Sequence, residues 1–172
     1  MAVLKKGQFS LDIGFIKLGG DLTDDDRQCA WELYTEIATR VAVVGKRNDP
    51  TCNDYSGELY SESLDSLYAF FRECREIMKK FPVGRIKDPW QVHLGVFIYR
   101  MLSDVVRPFL EHWRGPYRAW SSRQQATQSS PYDLQEEFPQ KNEFLADWSA
   151  LRTIMRSVQR QLAKNYKLVP LD

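Results

Sequence analysis

Apolar and polar residues alternate with a period of two near the start of the chain. Phe9, Leu11, Ile13 and Phe15 are interleaved with Ser10, Asp12 and Gly14, and Gly19-Gly20 follow. This predicts a short strand or extended arm over residues 1–20. A single strand leaves its backbone groups unpaired, so it needs a second copy, an undetected partner strand, or a bed of helices.

From residue 21 the period changes to that of a helix. Thr23 with Asp24, Asp25 and Asp26 makes a helix start, and Trp31, Tyr34, Ile37 or Ala38, Val41 and Val44 continue the stripe to Gly45. A polar loop is expected over Lys46 to Tyr55, then a second helix from Gly57 to Phe81 with Leu64, Leu67, Tyr68, Phe71, Cys74 or Arg75, Met78 and Phe81 on one stripe, closed by Pro82 and Gly84. Asp88-Pro89 opens a third helix. Its apolar residues, Trp90, Leu94, Phe97, Ile98, Met101, Leu102, Val105, Phe109 and Trp113, cover more than one stripe and predict a central element ending at Gly115-Pro116. After a Ser- and Gln-rich crossover over Ser121 to Pro131, Phe144, Trp148, Leu151, Met155, Val158 and Leu162 mark a fourth helix within Pro139 to Tyr166. The expected fold is all-α: an up-and-down four-helix bundle over residues 21–172, carrying the N-terminal arm.

Composition narrows the classes. The 172 residues suit one domain with a sizeable core, since 43% are hydrophobic and 13% aromatic. No apolar run is long enough to span a bilayer, and a net charge of +1 gives no global attraction to nucleic acid or anionic membrane. Cys29, Cys52 and Cys74 are odd in number and lack a Cys-x-x-Cys spacing, which predicts free thiols in a cytoplasmic protein, with Cys52 exposed in its loop. His93 and His112 are the only histidines, and neither belongs to a metal-ligand pattern; no metal and no cofactor are expected. Val43-Val44-Gly45-Lys46 is not a P-loop, and the serine-hydrolase, zinc-protease and dinucleotide signatures are absent.

Three polar constellations remain. Arg100, Asp104, Arg107 and Glu111, with His93 one turn-pair earlier, share a face of the third helix and predict a polar seam, kinked at Pro108, which cannot donate to the Asp104 carbonyl. Arg107 and His112 stand in an Arg-x4-His spacing that resembles the signature of HEPN-type ribonucleases. That resemblance implies a metal-independent RNA-cleaving site, composite in a dimer, with His112 as general acid or base and Arg107 on the phosphate. The family has a polar residue after the arginine where this chain has Pro108, and the two side chains lie about 140° apart on an ideal helix.

Arg114 and Arg118 interleave with Trp113, Tyr117 and Trp120, a composition that either contacts nucleic acid or anchors a helix end. Arg152, Arg156, Arg160 and Lys164 recur every four residues as a basic ridge, able to contact phosphate or a partner, or to face Glu32, Glu36, Glu58, Glu62 and Asp65. Trp31-Glu32-Leu33-Tyr34, Leu64-x2-Leu67-Tyr68 and Arg107-Pro108-Phe109-Leu110-x2-Trp113 together resemble a pattern in small uncharacterised helical proteins of bacteria, found in conflict or phage-defence gene neighbourhoods. This resemblance carries no catalytic residues. It implies a non-enzymatic interaction or scaffold module that self-associates or joins a larger complex through a protein partner. The alternatives are the ribonuclease and a non-catalytic nucleic-acid-binding module.

Overall fold

Two short strands begin the chain in the computed structural model, which describes residues 3–12, 23–81, 94–124 and 130–171. Strand β1 (Val3–Lys6) pairs antiparallel with β2 (Phe9–Asp12), in the register Lys6 to Phe9 and Val3 to Asp12. The expected lone strand is therefore half of a hairpin whose partner lies just upstream. The signal was missed because Val3–Lys6 has no alternation. Gly7 supplies the positive φ of 60° that a two-residue turn requires. Phe9 and Leu11 point together into the core, each worth roughly 1.5–3 kcal/mol of burial. Ile13, Phe15 and Gly19-Gly20 lie outside the described residues.

The chain is predominantly helical. Helix α1 (Asp24–Ala38) starts at Thr23, as expected, and the structure makes that start a reciprocal capping box between Thr23 and Asp26. It stops six residues before Val44. Thr39 and Arg40 break the path, and a single turn, α2 (Val41–Val44), follows before Gly45 at φ 73°. The break turns the Ala42 carbonyl toward Trp148, whose Nε1 donates to it at 2.7 Å.

Helix α3 (Tyr60–Lys79) begins later than Gly57, and its buried face is Leu64, Leu67, Phe70, Cys74 and Ile77. The expected stripe holds at Leu64, Leu67, Cys74 and Phe81, whereas Tyr68 is exposed and Phe71 and Met78 are half-buried. No side chain on the preceding residues caps this helix. Gln135, 75 residues away, accepts from the Tyr60 N–H at 2.9 Å and donates to the Glu58 carbonyl at 2.9 Å.

The third stretch is α4 (Leu94–Met101), a π-helical turn (Leu102–Val106) and α5 (Arg107–Gln124). Within the π turn, the Arg107 N–H bonds to Leu102 O, five residues back. The expected disturbance at Pro108 thus takes the form of a widened turn just before the proline, which has no N–H to return. Gly115-Pro116 does not end the helix; both residues sit on the exposed side of α5, and the helix runs on to Gln124. The expected close of the second helix at Pro82 and Gly84 and the expected opening of the third at Asp88-Pro89 and Trp90 lie outside the described residues, as does the middle of the Ser- and Gln-rich crossover.

Helix α6 (Pro131–Glu136) is capped by Ser130 and leads to α7 (Lys141–Tyr166). Buried residues recur along α7 from Phe144 to Tyr166, including all six of its predicted core positions, so α7 takes the central place that the third stretch was expected to hold. It touches α1, α2, α5 and both strands, while α3 touches α1, α2, α4 and α5. Phe109, Trp113, Phe144 and Trp148 pack ring against ring where α5 meets α7. No described helix is long and apolar enough to cross a membrane.

Candidate functional site

Arg107 and His112 sit on the same helix but open onto different clefts. Arg107 is 63% exposed and bonds to Glu111 at 2.7 Å, one turn along. With Tyr68, Phe71, Met78, Tyr99 and Leu110 it lines a cleft of about 790 Å³ between α3 and the α4–α5 stretch. His112 is exposed, rests edge-on against the Trp113 ring at 4.5 Å, and borders a shallower cleft with Gln8, Asp104 and Pro108. Glu111 borders both clefts, and within one chain the expected pair does not converge on a common point.

The expected polar seam lies toward solvent at three of its four positions. Asp104, Arg107 and Glu111 are exposed, and Arg100 is half-buried; His93 is outside the described residues. The apolar face of this stretch goes inward, and its charges are left on the opposite side, as the helical period requires.

Arg114 and Arg118 are both drawn to Asp65 on α3, at 3.0 and 3.3 Å, and Arg114 also covers the Tyr68 ring at 4.2 Å. They hold α5 to α3 beside the larger cleft. The interleaved aromatic residues face the other way, with Trp113 and Tyr117 in the core.

The basic ridge of α7 divides into unlike parts. Arg152 is fully buried, paired with Glu58 at 2.7 Å and stacked over the rings of Tyr55 and Trp148. Burial raises the Tyr55 hydroxyl to about 12, so it stays protonated where it meets the Leu145 carbonyl and Ser149. Arg156 donates to the carbonyls of Val44, Lys46 and Asp49 and thereby laces the loop after α2 onto α7. Arg160 and Lys164 are exposed and border a third cavity with Arg47, a cation that the repeat pattern of α7 could not reveal.

Cys52 is buried, with its Sγ 3.9 Å from the Val44 carbonyl, and not the exposed thiol expected of a polar loop. The loop is folded back by Asp49, whose carboxylate accepts from the Thr51 hydroxyl and the Asp54 N–H and is held down near 2 by those bonds. Among the described residues no cluster of His, Cys, Asp and Glu is arranged to hold a metal ion. The chain matches no protein-family model, and neither a curated protein nor a solved structure matches it.

Proposed function

We propose that this protein is a non-enzymatic interaction module that receives an acidic, amphipathic segment of a partner protein in the cleft between α3 and the α4–α5 stretch. The observation that carries this reading is the cleft itself. Tyr68, Phe71, Met78 and Tyr99 give it an apolar lining, and Arg75, Arg107, Arg114 and Arg118 surround it, against one lining carboxylate, Glu111. Asp65 offsets part of that charge, leaving a positive excess. Tyr99 and Tyr68 are among the few large apolar side chains left exposed. An apolar groove with a cationic margin suits a helix that presents an apolar face flanked by carboxylates. Two copies meeting face to face would bring like charges together, which favours a different protein over self-association.

An up-and-down bundle of α1, α3, the α4–α5 stretch and α7 belongs to the same reading. Its support is the cyclic order of contacts, α1 to α3, α3 to α5, α5 to α7 and α7 to α1. A cytoplasmic location is supported by three free cysteines, all buried and none paired.

The test is a photo-crosslinking residue placed at Tyr99 in the full chain inside its native cells, with Tyr132 as an exposed control. The expected result is an adduct specific to Tyr99, with a crosslinked peptide of net negative charge, that weakens with Arg75→Glu. Adducts only to a second copy, or equal adducts from both positions, would overturn the reading. Chelator-resistant RNA cleavage by the wild type, lost in Arg107→Ala and in His112→Ala while both stay folded, would replace it with the ribonuclease.

A further inference from the structure

The cavity bordered by Arg160 and Lys164 is a second and separate site. It measures about 530 Å³ and lies between α1, α2, α7 and the tail that follows α7. Arg47, Arg156, Arg160 and Lys164 line it, and among the described residues none of the lining is acidic. Three carboxylates on the neighbouring elements, Glu36, Glu32 and Asp49, are engaged elsewhere. Glu36 pairs with Arg40 at 2.7 Å and Glu32 with Lys80 at 2.7 Å, while Asp49 closes its own loop. Among the described residues, Arg47, Arg160 and Lys164 have no ion-pair partner.

Like charges gathered around a concavity repel one another, and an anion placed between them relieves that repulsion. Arg156 is already fixed by the three carbonyls it serves, so part of the ordering cost of binding is met in the free protein. The same bonds hold the loop that carries Arg47. Gly45, at φ 73°, is required there for two reasons: its backbone conformation, and the Arg152 Cδ atom 3.3 Å from where a Cβ would stand.

The cavity also has an apolar wall. Val41 and Leu171 remain 46% and 45% exposed, and both line it. The tail is held in place by the Leu171 N–H, which donates to the Tyr34 hydroxyl at 2.7 Å. Several cations beside uncovered apolar surface call for a ligand that is multiply charged at one end and planar or apolar at the other. The volume is in the range that small-molecule sites occupy.

We propose that this cavity binds a small phosphorylated molecule with a planar or apolar body, of the size and charge of a nucleoside triphosphate. Arg47, Arg160 and Lys164 contact the phosphates, Arg156 adds its fixed guanidinium, and the body covers Val41 and Leu171. The protein needs no metal of its own for this, because the guanidinium forks meet phosphate oxygens directly.

Calorimetric titration of the full chain with ATP, pyrophosphate and adenosine in low salt tests the proposal. ATP should bind more tightly than pyrophosphate, and adenosine should give no signal. Arg160→Glu and Lys164→Glu should each weaken ATP by at least about tenfold, a loss that added salt reproduces in the wild type. Val41→Gln should weaken ATP and leave pyrophosphate unchanged. Arg123→Glu, an exposed position outside both cavities, should change neither; these residues are exposed, and circular dichroism checks the fold of each variant. No binding of ATP or pyrophosphate up to millimolar concentration would overturn the proposal, as would an equal loss in Arg123→Glu. Equal affinity for ATP and pyrophosphate would overturn the apolar half of the site. Binding of a single-stranded RNA, or of phosphatidylserine vesicles, without ATP would make this a macromolecular surface instead.

Discussion

Arg152 has no exposed surface, yet nothing in its local sequence distinguishes it from Arg156 or Arg160. Its charge is tolerated because Glu58 meets it at 2.7 Å and Ser63 donates to the same carboxylate oxygen, while two aromatic rings take its faces. Satisfaction is incomplete, since Arg152 Nη1 and Glu58 Oε1 are buried without partners among the described residues. Such a pair is fragile toward the loss of one member and tolerant of losing both. Arg152→Met or Glu58→Leu alone should therefore lower unfolding stability by about 3–5 kcal/mol, whereas the double variant should recover most of that loss. A urea double-mutant cycle measures it, and additive losses would show that the two charges are not coupled.

At the scale of elements, each helix that the described residues contain overlaps one located by the apolar period except α6, because the period is a property of neighbouring residues. It could not show that the first helix breaks at Thr39, or that the third continues through Gly115-Pro116, since these outcomes depend on what the backbone packs against. The start of α3 makes the point most plainly. Its cap is Gln135, from α6, which no local motif around Gly57 could reveal. Gln135→Ala leaves the Tyr60 N–H and the Glu58 carbonyl without this partner in a buried place and should cost about 1–3 kcal/mol. Faster amide exchange confined to the first turn of α3 should accompany that loss; uniform exchange across the molecule would mean that Gln135 does not act as a local cap.

For the whole molecule, the three thiols report on cooperativity. Cys29 on α1, Cys52 in the loop after α2 and Cys74 on α3 are all buried, and burial raises the Cys29 and Cys74 thiols, further suppressing the reactive thiolate. A thiol reagent at neutral pH should modify none of them in the native protein and all three in denaturant, with one shared transition. Early labelling of Cys52 alone would show that the loop laced to Arg156 opens by itself.

By itself the sequence determined the helical class, the helix start at Thr23 and the apolar stripe from Phe144 to Leu162 on α7, because these follow from the spacing of apolar residues and from contacts one turn away. It named Arg107 and His112 as a pair and Arg152 to Lys164 as a ridge, and only the tertiary structure decided what each side chain does. The reason is geometric. A step of four residues overshoots a 3.6-residue turn by about 40°, so three such steps carry the ridge through about 120°, from a buried ion pair at Arg152 to open solvent at Lys164. The five-residue step from Arg107 to His112 turns farther still, and α3 on one side and the hairpin on the other make two clefts of what the linear spacing presents as one motif.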